Sequence, residues 1–224
     1  MTEAADTPVP PARPGRLRTA LLAVIGLGLL LLGGGLAVAL GIGQDGGPAT
    51  PTADSVDAGF SRDMAIHHLQ GVEMANLALE RSGDAEVRQL AFDISSTQTN
   101  QAGRMQGWLS LWGVPPTGGE RMAWMTDERG GHAMVMDGLM PGMATEDEFT
   151  DLRGLSGAEF DVQFLRLMIR HHQGGLEMAQ YADEHAAVAA VRRLARTIAE
   201  TQTAETGTMT DMLAARGGTP LPAP

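Results

Sequence analysis

One phrase occurs twice in this chain, and it constrains the fold more than anything else in it. The first copy reads Asp57-x-x-Phe60-x-x-x-Met64-x-x-His67-His68-x-x-Gly71-x-Glu73-Met74-Ala75. The second reads Asp161-x-x-Phe164-x-x-x-Met168-x-x-His171-His172-x-x-Gly175-x-Glu177-Met178-Ala179, at a constant offset of 104 residues without a gap. The register continues downstream, where Leu90, Ile94, Thr97-Gln98-Thr99 and Met105 match Leu194, Ile198, Thr201-Gln202-Thr203 and Met209. A match of this length is an internal duplication. Four of the six histidines lie inside it.

The spacing within each copy is helical. Phe60, Met64, His67, Gly71, Met74 and Ala78 fall on one stripe at steps of three and four, as do Phe164, Met168, His171, Gly175, Met178 and Ala182. Large apolar residues on this stripe require its burial, so His67 and His171 are expected to point inward. His68 and His172 fall 100° round, beside Val72 and Leu176, near the edge of that face. Helices are expected from about Asp57 to Arg81, Ala85 to Trp112, Glu159 to Glu184 and Ala187 to Arg216. Asp57 is placed to cap the first of these or to meet its positive end. Ser82-Gly83-Asp84 breaks the first hairpin, and Gly113-Val114-Pro115-Pro116 ends it. Two helical hairpins in tandem predict an all-α fold, a four-helix bundle.

The second helices carry Val87, Leu90, Ile94, Gln98, Met105 and Trp108, matched by Val191, Leu194, Ile198, Gln202, Met209 and Met212. Gln98 and Gln202 are polar residues at core positions. A buried polar layer can serve register alone, and methionine is a common core filler. Adjacent histidines recurring three residues after a methionine exceed what one glutamine requires, which favours a metal. Met64, His67, His68, Met74, Met168, His171, His172 and Met178 are the candidate ligands. Gln98 and Gln202 are accessory candidates, as are His132, Met134, Met136, Met140 and Met143 in the Met-rich connection 113–156.

Thioether and imidazole together suit copper, Cu(I) especially. Carboxylate-bridged di-iron bundles use Glu-x-x-His on two helices. That motif is absent here, and methionine occupies its slot in Met64-x-x-His67 and Met168-x-x-His171. Iron or manganese is therefore disfavoured. Glu73 and Glu177 lie off the buried stripe, where a solvated role is expected. No nucleophile–base pair stands out, so hydrolysis is not expected, and a binding protein is favoured over an enzyme.

Composition limits the rest. The formal net charge is −11, all 16 basic residues are arginine, and cysteine is absent. An acidic body does not suit nucleic acid, and without cysteine there is neither a disulfide, a thiolate site nor a lipoprotein anchor. Residues 1–18 are an Arg/Pro/Ala tail. From Thr19 to Gly43 there is no charge, about 37 Å of helix at about 1.5 Å per residue, enough to span a bilayer. Arginines before it place the N-terminus in the cytoplasm and the remainder outside. A cleavable signal peptide ending at Ala37-Val38-Ala39 is the alternative, and both export the body. Gly35, Ala39 and Gly43 form a small-residue stripe that could pair anchors. Residues 44–55 read as a linker, 56–216 as the duplicated bundle and 217–224 as a C-terminal tail.

The doubled phrase, with Met140-Pro141-Gly142-Met143 and Gly157-Ala158-Glu159-Phe160-Asp161, resembles the bacterial domain-of-unknown-function 305 family over about residues 54–216. The resemblance implies a ferritin-like helical bundle, exported or membrane-tethered, with copper binding or copper resistance among some relatives. The first copy departs locally, with Asp63-Met64-Ala65-Ile66 where the second has Leu167-Met168-Ile169-Arg170. Three functions stay open: a Cu(I)-binding protein for buffering, transfer or resistance, a ferritin-like metal-dependent oxidase, and a tethered helical interaction module without metal. A homo-oligomer or a copper-handling partner protein would fit the first.

Overall fold

In a computed structural model of the chain, residues 15–39, 50–125 and 138–222 are described. Most of the N-terminal tail, linker residues 44–49, Gly43, and the accessory candidates His132, Met134 and Met136 lie outside the described residues. Two units are distinguished, Met1–Ala49 and Thr50–Pro224. In the first, helix α1 (Arg16–Ala39) includes a 19-residue stretch, Arg18–Leu36, long and apolar enough to cross a membrane. A signal sequence has the same properties.

The second unit is a helical bundle. Helices α2 (Val56–Arg81) and α3 (Ala85–Trp112) form the first hairpin. Helices α5 (Gly157–His185) and α6 (Ala189–Ala215) form the second. A short helix, α4 (Glu146–Gly154), lies between them. Among the described residues there is no strand. Local chemistry sets the ends. Ser55 caps α2 by accepting from the Ala58 amide at 3.2 Å. Asp84 caps α3 through the Glu86 and Val87 amides at 2.8 and 3.2 Å. Gly113 closes α3 at φ +68°, a left-handed conformation in which glycine has no Cβ penalty.

Asp57 lies in the first turn of α2, at its positive end, while Ser55 provides the cap, and its side chain also reaches beyond its own helix. Its carboxylate accepts from the backbone amides of Ala187 and Val188 at 3.0 and 2.8 Å. These amides lie just before α6, whose own N-cap, Val188, has no side-chain acceptor. Asp57 thus joins the hairpins across 130 residues. Helix α4 was also unexpected within the connection. Its start is a capping box, with Thr145 and Glu148 bonded reciprocally, and it buries Phe149 and Leu152.

The core has two lobes. One holds Met74, Ile94, Phe160, Phe164, Met168 and Met209. The other holds Phe60, Met64, Met105, Met178 and Ile198, together with Met122 and Met140 from the connection. Each large side chain taken fully out of water contributes about 1.5–3 kcal/mol. Between the lobes lies the histidine layer.

Candidate metal centre

Helices α2 and α5 run antiparallel, in a register set by glycine. A Cβ on Gly71 would lie 2.9 Å from His171 Cε1, and one on Gly175 would lie 3.0 Å from His67 Cε1. The same added atoms would fall 2.3 Å from Gln98 Oε1 and 2.9 Å from the Gln202 amide. Each glycine therefore admits an imidazole from the opposite copy and a glutamine from its own. In this register Met64 lies level with Met178, and Met74 with Met168. Each pair shares a lobe.

All four histidines are fully buried. For His68 and His172 this corrects the expected position near the edge of the face. The reason lies one hairpin partner away. Helix α3 covers the flank of α2 and presents Gln101, and α6 covers α5 and presents Glu205. Gln101 Oε1 accepts from His68 Nε2 at 2.8 Å, and Glu205 Oε2 accepts from His172 Nε2 at 2.7 Å. The inner pair behaves alike. Pro141 O accepts from His67 Nε2 at 3.1 Å, and the backbone carbonyl of His67 accepts from His171 Nε2 at 2.9 Å.

Every one of these partners is an oxygen that only accepts, so each Nε2 carries the proton. The four Nδ1 atoms are buried and have no hydrogen-bond partner in the protein. Burial favours the neutral ring at His67, His68 and His171. It pushes the pKa of His67 down to about 4 and that of His68 down to about 3, where a positive His67 would add repulsion. His171 lies well below the ordinary value, first through burial and then through His67. On a neutral ring with Nε2 protonated, Nδ1 is a bare lone pair. A ring nitrogen paired to an oxygen while the other stays free is how proteins hold a histidine for a metal.

The amides of Gln98 and Gln202 are also buried, and neither nitrogen nor oxygen of either has a partner in the protein. An orphaned buried polar atom costs about 1–3 kcal/mol. A core layer with this many is chemically incomplete and fits an electrophilic guest. Among the described residues no three His, Asp or Glu groups converge to hold an ion. Glu73 pairs with Arg153 at the surface and Glu177 is exposed. Met64, Met74, Met168 and Met178 are all fully buried, one pair in each lobe.

A strap from the connection closes over the layer. Gly142, at φ +78°, lies against the Arg170 carbonyl, and a Cβ on Gly174 would lie 2.0 Å from Pro141 O. Gln70 grips Ala144 at both ends, donating to its carbonyl at 2.9 Å and accepting from its amide at 2.8 Å. Arg170 holds Glu148 at 2.6 Å and Met143 O at 3.3 Å. Met140 is buried and Met143 half-buried. Gln70, Gln101 and Glu205 were not singled out in the sequence. The last two carried a signal, because they keep the repeat offset and lie one position short of a helical turn beyond Gln98 and Gln202.

The molecule is thus a helical bundle built from two hairpins around a buried histidine–methionine layer. Residues 57–213 match the family described as Domain of unknown function (DUF305), and the chain belongs to it. A DUF305 protein from Streptomyces coelicolor, described as a candidate secreted protein, is 45% identical with a TM-score of 0.68, covering 75% of this chain and 96% of that one. A DUF305 fragment from Deinococcus radiodurans is 37% identical with a TM-score of 0.60, covering 75% and 99%. CopM in its Cu(I)-bound form is 25% identical with a TM-score of 0.55, covering 72% and 98%. CopM is also solved in a Cu(II)-bound form at the same identity. No curated protein matches.

Proposed function

We propose that this chain is an exported, membrane-anchored protein that holds Cu(I) in its bundle core, for buffering, transfer or resistance. The observation that carries this reading is the layer of four buried histidines, each with Nε2 hydrogen-bonded and Nδ1 left without a partner. Buried thioethers on both sides add soft neutral donors, the kind that select Cu(I) over harder ions. The copper-bound forms of CopM support the same reading. Copper here is cargo. Burial of the layer and the strap over it keep the ion from water and oxidants. Residues 1–18 then form the cytoplasmic tail, 19–43 the anchor, 44–55 the tether and 56–216 the working bundle.

The test is Cu(I) retention by the full chain in detergent against a competing chelator. Wild type retains Cu(I). The variant carrying His67→Ala, His68→Ala, His171→Ala and His172→Ala releases it. Equal retention by the two would defeat the proposal.

A further inference from the structure

The two lobes flanking the histidine layer differ in fully buried sulfur, and that difference comes from the connection. By the repeat, each lobe receives three fully buried methionines from the helices: Met64, Met105 and Met178 in one, Met168, Met209 and Met74 in the other. To the second lobe the connection adds Phe149 and Leu152, carbon only. To the first it adds Met122 and Met140, 0% and 1% exposed.

Neither addition is incidental to the backbone. Met122 is the one non-glycine residue at positive φ among the described residues, at +62°, a conformation that long L side chains seldom adopt. Asp63, itself buried, holds it there. Asp63 Oδ2 accepts from the Met122 amide and from Trp124 Nε1, both at 2.8 Å. Trp124 then lies across Gly59, edge-on to Phe60 and Tyr181, and closes that end of the lobe. The second copy has Leu167 where the first has Asp63, so the device exists on one side only. Met140 is placed by the residue after it, since Pro141 O accepts from His67 Nε2. A packing filler needs neither a strained backbone nor a dedicated buried carboxylate.

We propose that Met122 and Met140, with Met64, Met105 and Met178, form a thioether site for a soft monovalent cation, Cu(I) or Ag(I), beside the histidine layer. It rests on the copper reading for the physiological ion but not for its donors. Neutral thioethers bind soft monovalent ions and discriminate against hard ones. The site makes the two halves of the duplicated bundle unequal in capacity.

The test compares the full chain with the double variant Met122→Leu and Met140→Leu, which conserves volume and apolar packing. Ag(I) titration reads stoichiometry without redox change, and X-ray absorption of the Cu(I) forms reads the donors. Wild type is expected to bind more Ag(I) than the variant and to show more sulfur around Cu(I). Equal Ag(I) uptake with equal sulfur coordination overturns the proposal. Sulfur without nitrogen in wild type, lost in the variant, would sustain this site while defeating the histidine reading. Nitrogen coordination unchanged by the substitutions, with no sulfur in either protein, would defeat this site alone.

Discussion

His67 and His171 stack ring on ring, with centroids 3.9 Å apart and 30° between the planes, although 104 residues separate them. Two imidazoles this close, both sealed from water, cannot both be charged. The contact therefore works only with at least one neutral ring, and burial favours two.

Acid should loosen the metal-free protein in a defined window. Unfolded histidines take up protons near pH 6.5, whereas folded His67 and His68 resist until about 4 and about 3. Between those values the unfolded chain binds more protons, so stability falls as pH drops below 6.5 and is unaffected above it. Calorimetry should show a Tm that is flat at neutral pH and declines steadily toward pH 4. His68→Gln should reduce the slope. A Tm that does not change through that range would contradict the buried neutral rings.

Gly174→Ala should be the most damaging of the glycine substitutions in the layer. Its Cβ meets backbone, Pro141 O at 2.0 Å and Gly142 N at 2.7 Å, which cannot rotate away. Gly71→Ala meets the far end of the Gln98 side chain first. The expected loss is about 2–3 kcal/mol at Gly174 and about 1–2 kcal/mol at Gly71, within the range for overpacking. Urea unfolding of both variants checks the order.

Gln70→Ala should free the strap without disturbing the bundle. It removes both hydrogen bonds to Ala144, and a typical hydrogen bond contributes about 0.5–1.5 kcal/mol. Hydrogen exchange at the Ala144 amide should accelerate by about tenfold, since about 1.4 kcal/mol is a factor of ten, while exchange within α3 and α6 stays unchanged.

Glu205 and Gln101 should orient their imidazoles without binding the ion themselves. Removing such a partner costs about 10–100-fold in metal affinity. Glu205→Ala is expected to weaken Cu(I) retention by that order, and Glu205→Gln to restore most of it, because the Gln101–His68 pair already works with an amide. Competition against a Cu(I) chelator provides the measurement. Equal weakening by Ala and Gln would mean that charge matters rather than tautomer.

The repeat made the paired hairpins and the inward turn of His67 and His171 legible, because period and offset are properties of the chain itself. The depth of His68 and His172 was not legible. A single helix puts them at the edge of its apolar stripe, and only the packing of α3 and α6 turns that edge into interior. Asp57 shows the same limit: its position invites a local cap, yet its acceptors serve amides 130 residues away. Helix α4 did leave a sign, Thr145-x-x-Glu148 ahead of Phe149, hidden within a stretch otherwise marked by methionine and glycine. The grip of Gln70 on Ala144 left none, because backbone amides carry no identity in the sequence.

The antiparallel register of α2 and α5 has an evolutionary consequence. The stacked rings of His67 and His171 and both glycine–imidazole contacts join one copy to the other, so a lone ancestral hairpin meeting its twin about a two-fold axis would rebuild those contacts. Fusion of such a dimer releases each half from identity with its sibling. Asp63 in the first copy, where the second has Leu167, is what that freedom leaves behind.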